Sequence, residues 1–472
     1  MAGFFFSRGG RRDRMVAASP LLLVVLLGVI AAGWLGACAV SKRVARDPWQ
    51  GGPAPRAGQA GPRPVRVGLA EDRPKQRLGC TGPWELRSSR GGVVLALGAA
   101  DSLSVWNLQD RVMYASDLQG GRVDRVVVAP ASPAHVLVWD GEPWRGVLEV
   151  IATPGGDGVT VINVVELESY LAGVLPREIG RGRPASQLAA LAAQAVAART
   201  YVAARLGARE ARGFDVYADV RDQVYSGAAV EDSLCTAAIA ATAGLVLRRP
   251  DGTLADAFFH STCAGHTAAK DAVWPTAPDP LLPGVPDRRP DGQPWCAASK
   301  YSQWTATWAW SELEAVLART LPIYLDYLTG GGRAAWRPGA FSAADASAAG
   351  GADGREPGRL LDLRIGRRTD EGRVDVLEIT CDAGIYRVRG DQTRRVLVPA
   401  GGRPSMLRSA WFDLEVEPGA AVTARGRGWG HGLGMCQMGA LGRAEAGQDV
   451  AGILAAYYPG ARLESLDAVT LP

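Results

Sequence analysis

The strongest constraint on this chain is one long stretch without charged residues, from Met15 to Ser41. A helix of roughly 20 apolar residues is enough to cross a bilayer, and this stretch is longer. Arginines at positions 8 to 14 precede it, and a basic flank favours retention of the N-terminus in the cytoplasm. We therefore expect residues 1–40 to be a signal or membrane anchor and the rest of the chain to lie outside the cytoplasm.

The end of this stretch, Leu35-Gly36-Ala37-Cys38, resembles a bacterial lipobox, in which the thiol is lipidated after peptidase cleavage. Two interpretations stay open: a lipoprotein attached through Cys38, or an uncleaved signal anchor in the inner membrane of a bacterium. Both place the remaining cysteines in a compartment where disulfides persist.

Composition favours a folded enzyme or binding domain. Hydrophobic residues make up 47% of the 472 residues and charged residues 21%, enough for a sizeable core. The net charge is only +4, so no nucleic-acid partner is expected. Residues 41–63 are rich in Gly, Pro and Arg without periodicity and are typical of a linker.

Short β-like runs separated by Gly, Pro and Asp fill residues 64–165, and helical patterns follow, so we predict an α+β fold. The first helical pattern runs from Glu166 to Val174 and is predicted to end at Pro176. An Ala-rich helix is predicted over Gln187–Leu206, and Ser311-Glu312-Leu313-Glu314 resembles a capping box. The remaining predicted parts are a helical and Cys/His segment over 166–325, a Gly/Ala-rich insertion over 329–358, and a C-terminal part over 359–472 that closes with helices at Gln437–Ala446 and Val450–Tyr458.

Glu178 is the first candidate for chemistry. It follows Pro176 in a predicted loop among Val174, Leu175 and Ile179, and apolar surroundings raise a carboxyl pKa and retain the proton that a general acid needs. An ordinary surface glutamate is the alternative. Arg199, on the Ala-rich helix, could reach a carboxylate or a sugar substituent, or could be a structural arginine.

A second group combines histidine and cysteine. His260, Cys263 and His266 have H-x-x-C-x-x-H spacing, and Cys296 lies further along the chain. These residue types suit a tetrahedral zinc site, and a Cys263–Cys296 disulfide is the competing interpretation. A zinc hydrolase is disfavoured, because no general base is spaced as in H-E-x-x-H.

A glycine-rich segment, 426–440, forms the third group. Its glycines allow close approach of the backbone to a ligand. Trp429 offers an aromatic face for a sugar ring, and His431 and Gln437 offer hydrogen bonds. A glycine-rich turn around a buried tryptophan is the alternative.

These groups, in this order, resemble the stage II sporulation protein D family (SpoIID/LytB). The resemblance extends from about Val65 to the C-terminus and also includes Trp144-Arg145-Gly146, Asp222-Gln223-Val224-Tyr225-Ser226-Gly227, Thr242-Ala243-Gly244, Ser299-Lys300-Tyr301-Ser302-Gln303-Trp304, Leu407-Arg408-Ser409 and Tyr457-Tyr458-Pro459-Gly460. Cys436 departs from the pattern, since the family usually has serine there. The spacing between Asp287 and Cys296 is also longer than usual.

The resemblance implies a SpoIID-like fold with helices around the catalytic loop and a glycan-binding cleft. It also implies a lytic transglycosylase that cuts peptidoglycan glycan strands, with Glu178 as catalytic acid, Arg199 required for activity and no cofactor needed for catalysis. The expected substrate-binding residues are Tyr201, Gln223, Tyr225, Ser261, Thr262, Tyr301, Trp429, His431 and Gln437. Related proteins enhance a partner amidase, so a wall-binding module that acts on a cell-wall amidase is the second hypothesis.

Overall fold

The computed structural model describes residues 64–88, 92–329, 356–402 and 404–466. The expected anchor with Cys38, the linker 41–63 and most of the 329–358 insertion lie outside these ranges. Within them, no helix is long and apolar enough to cross a membrane.

The predicted β-rich part is confirmed. Between Val65 and Val165 the described residues form twelve strands: β1 (Val65–Arg73), β2 (Gln76–Cys80), β3 (Trp84–Ser88), β4 (Val93–Leu97), β5 (Leu103–Leu108), β6 (Arg111–Ala115), β7 (Gly120–Val123), β8 (Arg125–Pro130), β9 (Leu137–Trp139), β10 (Glu142–Trp144), β11 (Val147–Ala152) and β12 (Val159–Val165). A further strand, β13 (Val216–Tyr217), pairs in parallel with β1.

These strands make two sheets, one of seven strands in the order β13-β1-β12-β11-β8-β3-β4 and one of six in the order β10-β9-β2-β5-β6-β7. Every residue of β12 is buried, as expected for an uninterrupted apolar run in a central strand. The chain leaves β12 directly into the first helix.

Eight α-helices lie within the described residues: α1 (Leu167–Glu178), α2 (Leu188–Ala203), α3 (Ser233–Ala241), α4 (Lys270–Val273), α5 (Trp310–Thr329), α6 (Thr393–Val396), α7 (Gln437–Glu445) and α8 (Val450–Tyr457). The later strands form small sheets: β14 (Leu245–Arg248) with β23 (Arg462–Ser465), β15 (Phe259–His260) with β22 (Met435–Cys436), β16 (Trp304–Ala309) with β20 (Phe412–Glu417) and β21 (Ala421–Gly426), and β17 (Leu360–Arg368) with β18 (Val374–Cys381) and β19 (Gly384–Arg389). The predicted α+β class is confirmed.

The predicted end of the first helix was wrong. The helix continues through Pro176, so Glu178 is its last residue and does not lie in a loop. A proline inside a helix removes one backbone hydrogen bond, and its ring crowds the preceding turn. Here it falls in the final turn, and the helix ends two residues later.

The other predicted helices are present with shifted ends. The Ala-rich helix is shorter, and Gly207 follows it with a left-handed φ of 82°. The helix α5 begins at Trp310, so Ser311 lies inside its first turn. The predicted capping box does not form: Glu314 accepts a 2.8 Å bond from the Leu360 N–H, and Glu312 accepts the 2.9 Å bond from the Ala309 N–H instead.

The two largest hydrophobic clusters contain most of the buried apolar residues of the described ranges. The larger joins the two sheets to α1, α2, α3, α7 and α8. Its centre is α2, which is buried on all sides from Ala190 to Ala203 and therefore carries alanine where its neighbours approach. The second cluster lies between Trp304 and Ala424 and joins α5 to the strands β16–β21.

Two distant motifs meet at a short parallel pairing of β15 with β22. Phe259 lies opposite Met435, and His260 lies opposite Cys436. Gly434 has a left-handed φ of 62°, and a Cβ atom there would lie 2.0 Å from the Phe258 carbonyl oxygen. Glycine is therefore required for the glycine-rich segment to reach the His260 strand.

Candidate active site

The Glu178 carboxyl group faces the loop of residues 222–227. Its Oε1 atom accepts a 2.8 Å hydrogen bond from the backbone N–H of Val224. The side chain of Gln437, the first residue of α7, also reaches this carboxyl group. The Gln437 Nε2 atom has no acceptor at strict hydrogen-bond geometry among the described residues, so this second contact is looser. The segment that carries Glu178 and the glycine-rich segment 426–440 therefore meet at the Glu178 carboxyl group.

Two buried side chains hold Val224 in position. Gln223 is 1% exposed, and its Oε1 accepts a 2.9 Å bond from the Tyr170 hydroxyl of α1. Tyr225 is 4% exposed and donates a 2.6 Å bond to Asn163 Oδ1 on β12. Because both neighbours of Val224 are tied to the scaffold, its N–H has a defined direction. Gln223 and Tyr225 were expected to contact substrate. In the structure their side chains are buried, and they hold Val224 in place.

Close packing of α1 on this loop depends on Gly173. A Cβ atom at Gly173 would lie 2.5 Å from the Tyr225 ring and 2.9 Å from the Gly227 carbonyl oxygen. The Ser226 N–H donates to the Gly173 carbonyl at 3.1 Å, which ties the loop to the helix. A side chain at this position would therefore move the Val224 N–H away from Glu178.

Burial raises the pKa of Glu178. The hydrogen bonds from Val224 and Gln437 and the charge of Arg177 oppose this effect without cancelling it. The apolar surroundings expected from Val174, Leu175 and Ile179 are present, because all three are buried. A carboxyl of this kind retains its proton to higher pH than an exposed glutamate.

The nearby acidic groups are occupied by other partners. Glu166 caps α1 by accepting from the Ser169 N–H at 3.3 Å. Asp222 accepts bonds of 3.1 Å from the Tyr201 hydroxyl and of 2.8 Å from the Tyr217 N–H, and it pairs with Arg209 at 2.9 Å. Tyr201, expected at the substrate, is itself 8% exposed and part of this network.

Arg199 makes contacts that connect parts of the fold. Its side chain is fully buried and donates to Glu168 at 2.9 and 2.6 Å and to the Leu245 carbonyl at 3.0 Å. The arginine therefore joins α1, α2 and β14. Its catalytic role stays a prediction, and the contacts in the structure are those of a positioning residue.

An aromatic pair stands beside the 261–262 segment. Trp429 and Tyr301 are half-buried, with ring centroids 3.9 Å apart and nearly perpendicular planes. The backbones of Thr262 and Trp429 exchange two 2.9 Å hydrogen bonds, and the Thr262 hydroxyl lies 2.7 Å from that of Ser299. Ser261 is half-buried, whereas Thr262 is enclosed. Among the residues expected to bind substrate here, Ser261, Tyr301 and Trp429 retain exposed surface, and Thr262 does not.

The two histidines of this region pack against each other, with ring centroids 5.8 Å apart. Burial lowers the pKa of His431 to about 4 and holds the pKa of His260 well below its ordinary value. Both rings are therefore neutral near pH 7. His431 Nδ1 accepts from the Leu433 N–H at 3.0 Å, and His260 Nδ1 lies 3.0 Å from the Leu433 carbonyl oxygen.

Cys263 and Cys296 lie close together, as expected, with sulfur atoms 3.7 Å apart. Their other neighbours differ from those expected. Asp287 and Cys436 complete a buried group whose ligand atoms all lie within 4.8 Å of one another, and His260 and His266 are not part of it. We call these four residues the cysteine–aspartate cluster. The three cysteines and the aspartate of this cluster are each at most 1% exposed.

Sequence reasoning missed the residues that support the site: Tyr170, Asn163, Val224, Asp287, Arg443 and Tyr457. Most are ordinary members of strands and helices, and a backbone N–H carries no sequence signal. For Cys436 there was a signal, namely a cysteine where the resembled family usually has serine.

Sequence comparison relates this chain to known proteins. Residues 155–248, which contain Glu178, Arg199 and the 222–227 loop, match the family model described as Stage II sporulation protein (SpoIID). The chain is 28% identical over 385 residues to the amidase enhancer of Bacillus subtilis, covering 76% of this chain and 48% of that protein. It is 26% identical over 321 residues to stage II sporulation protein D of the same organism, covering 64% and 76%.

An uncharacterised protein of Brachyspira hyodysenteriae is 28% identical over 309 residues, covering 65% of this chain and 69% of that protein. The fold and the site define an α+β domain with a half-buried carboxyl at the end of a helix. The predicted resemblance is confirmed: the chain is similar to the SpoIID/LytB family over the residues that these comparisons match.

Proposed function

We propose that this protein acts on the bacterial cell wall as a peptidoglycan lytic transglycosylase, with Glu178 as its general acid and base. The observation that carries the proposal is the state of Glu178: it is half-buried among apolar side chains, its pKa is raised by burial, and its Oε1 accepts a bond from a neutral N–H. Such a carboxyl retains its proton to higher pH than an exposed glutamate and is suited to act as a general acid.

The reaction needs only one carboxyl group. Glu178 protonates the glycosidic oxygen between MurNAc and GlcNAc, and the bond from that oxygen to the anomeric carbon breaks. The C6 hydroxyl of the same MurNAc attacks the anomeric carbon, and the Glu178 carboxylate takes the hydroxyl proton. The product is a 1,6-anhydro-MurNAc end, the acid is restored, and no water is consumed. Attack within one sugar is entropically favoured.

The occupied carboxylates support this reaction over hydrolysis. Glycoside hydrolases typically need a second carboxyl as base or nucleophile. Glu168 is held by Arg199, Glu166 caps a helix, and Asp222 is paired with Arg209. Each would have to give up a structural partner to serve as that second group.

The half-buried aromatic pair is proposed to contact the glycan strand, with Trp429 stacking on a sugar ring. The Arg408 guanidinium lies 4.8 Å from the Tyr301 ring and 5.6 Å from the Trp429 ring and would extend this surface. Arg408 also lines a concavity of about 240 Å³, together with residues that include Trp304 and Leu407. The glycan-binding cleft as a whole stays a prediction.

Replacement of Trp429 by alanine is expected to weaken binding to glycan strands roughly fivefold, since an aromatic stacking contact is worth about 1 kcal/mol. The measurement is co-sedimentation of the protein with insoluble peptidoglycan. Trp106→Ala, at a half-buried tryptophan of β5, is the matched control. Unchanged binding together with a lower melting temperature would identify Trp429 as a purely structural residue.

The product of the reaction tests the proposal directly. Purified protein is incubated with glycan strands, and the released fragments are analysed by mass spectrometry. Anhydro ends are expected, 18 Da lighter than the reducing ends that a hydrolase would leave. Reducing ends would show a hydrolase, and the absence of fragments would contradict an enzyme.

A second candidate function is a wall-binding module that enhances a partner amidase, favoured by the relative named amidase enhancer. Amidase activity on purified walls, measured with and without this protein, separates the two. Enhancement that persists in Glu178→Gln would support the module. In both cases we propose an extracytoplasmic protein, attached to the membrane through its N-terminus.

A further inference from the structure

The cysteine–aspartate cluster is not used by the proposed reaction. It brings together three thiols and one carboxylate from three separated parts of the chain, in the interior of the larger hydrophobic cluster. We propose that Cys263, Asp287, Cys296 and Cys436 bind one structural zinc ion. This inference is independent of the proposed function, because no step of the glycan reaction involves these residues.

The distances suit a tetrahedral ion. Zinc–thiolate bonds of about 2.3 Å place two sulfur ligands about 3.8 Å apart, and the sulfur atoms of Cys263 and Cys296 are 3.7 Å apart. Asp287 Oδ2 lies 3.1 Å from the Cys263 sulfur. With Cys436, all four ligand atoms fall within 4.8 Å of one another. Sulfur with one carboxylate oxygen is a donor set that zinc accepts.

Backbone N–H groups point at the sulfur atoms. The Gly265 N–H donates to Cys263 at 3.3 Å. The N–H groups of Cys263 and Gly439 both donate to Cys436 at 3.2 Å. Sulfur accepts such bonds weakly as a thiol and well as a thiolate. The backbone is therefore arranged around anionic sulfur, the form that binds a metal.

The second oxygen of Asp287 is held from outside the cluster. Oδ1 accepts bonds of 3.0 and 3.2 Å from Arg443 and of 2.9 Å from the Tyr457 hydroxyl. Outer partners of this kind orient a ligating carboxylate. The Arg443 charge also offsets part of the negative charge that three thiolates and a carboxylate bring to a divalent ion.

A Cys263–Cys296 disulfide explains less of this arrangement. It would involve only two of the four side chains and would leave the Cys436 sulfur, with its two N–H donors, and Asp287 Oδ2 without a role. A zinc ion satisfies all four groups at once.

The ligand set is complete, so the ion would have a structural role with no open position for substrate. Cys436 is the N-cap of α7, and Gln437 follows it and reaches Glu178. Zinc would therefore fix the start of α7 against the segments that carry Cys263 and Cys296.

The test is performed on the full chain, purified without chelator or reductant. Zinc is measured by elemental analysis, and free thiols are counted after denaturation with a chelator. We expect about one zinc per chain and reactive thiols at Cys263, Cys296 and Cys436. A Cys263–Cys296 disulfide found by peptide mapping, with no zinc, would overturn the proposal. Cobalt loaded in place of zinc is expected to show thiolate charge-transfer absorption.

Variants identify the ligands. Cys436→Ser and Asp287→Asn are expected to lower bound zinc from about one per chain to a small fraction. Cys235→Ser removes a buried cysteine outside the cluster and is expected to retain zinc. His266→Asn is also expected to retain it. Zinc that disappears in His266→Asn but persists in Asp287→Asn and Cys436→Ser would show a different ligand set. Zinc content is measured in the absence of glycan. A negative result would therefore overturn the zinc site without contradicting the proposed function.

Discussion

Replacing Glu178 by glutamine is expected to lower the rate of glycan cleavage about 10² to 10⁴-fold, the usual loss for a general acid or base. Glutamine keeps the side-chain shape and the acceptor for the Val224 N–H. The measurement is turnover on isolated glycan strands. Glu166→Gln and Glu168→Gln are the companion variants, and folded protein of either is expected to stay active. Near-normal turnover in Glu178→Gln would contradict the mechanism.

The same variant is expected to melt at a higher temperature than the wild type at neutral pH. Burial raises the pKa of Glu178 in the folded state, so the folded protein binds the proton more tightly than the unfolded chain. Stability is therefore lost as pH rises from the unfolded pKa through the folded one. The glutamine side chain does not ionise, so the variant does not lose stability in this way. The difference in melting temperature between the variant and the wild type should therefore grow with pH and then level off.

Activity of the wild type should decline as pH rises through the pKa of Glu178, because the proton to be delivered is lost. Gln437→Ala removes a contact that lowers this pKa. The alkaline limb of its rate profile is therefore expected to move to higher pH. An unmoved limb would show that another group controls the decline.

Replacing Glu168 by alanine is expected to destabilise the fold by about 3 kcal/mol, because it leaves a buried cation without its counter-charge. Arg199 is fully buried, whereas the Glu168 side chain is 29% exposed. Replacing Arg199 is therefore expected to cost less folding stability, because water can reach the Glu168 carboxylate that remains. Urea denaturation measures the free energy of unfolding.

A double-mutant cycle separates this pair from the chemistry. Glu168→Ala combined with Arg199→Met is expected to be more stable than Glu168→Ala alone, because no buried charge remains unpaired. A double variant that is less stable than the single would contradict the ion-pair argument. Turnover per folded molecule in Arg199→Met then reports whether the arginine acts beyond positioning α1.

The short strands, the helices and the apolar surroundings of Glu178 were predictable from the sequence. Strand and helix patterns depend on residues that are near neighbours, and Val174, Leu175 and Ile179 lie within one turn of Glu178. The continuation of α1 through Pro176 was not predictable, because packing of the helix against α2 and α3 outweighs the local cost of proline.

The sequence alone determined the α+β class and the family resemblance, and it singled out Glu178 as the candidate carboxyl, because each rests on residue types and spacing along the chain. Only the tertiary structure showed that Gln223 and Tyr225 brace Val224, that Arg199 is paired with Glu168, and that the cysteines gather around Asp287 instead of the two histidines. Asp287 and Cys436 are far apart in sequence. They come together because β15 pairs with β22 and α7 packs on α2, and contacts of such long range depend on the path of the whole chain.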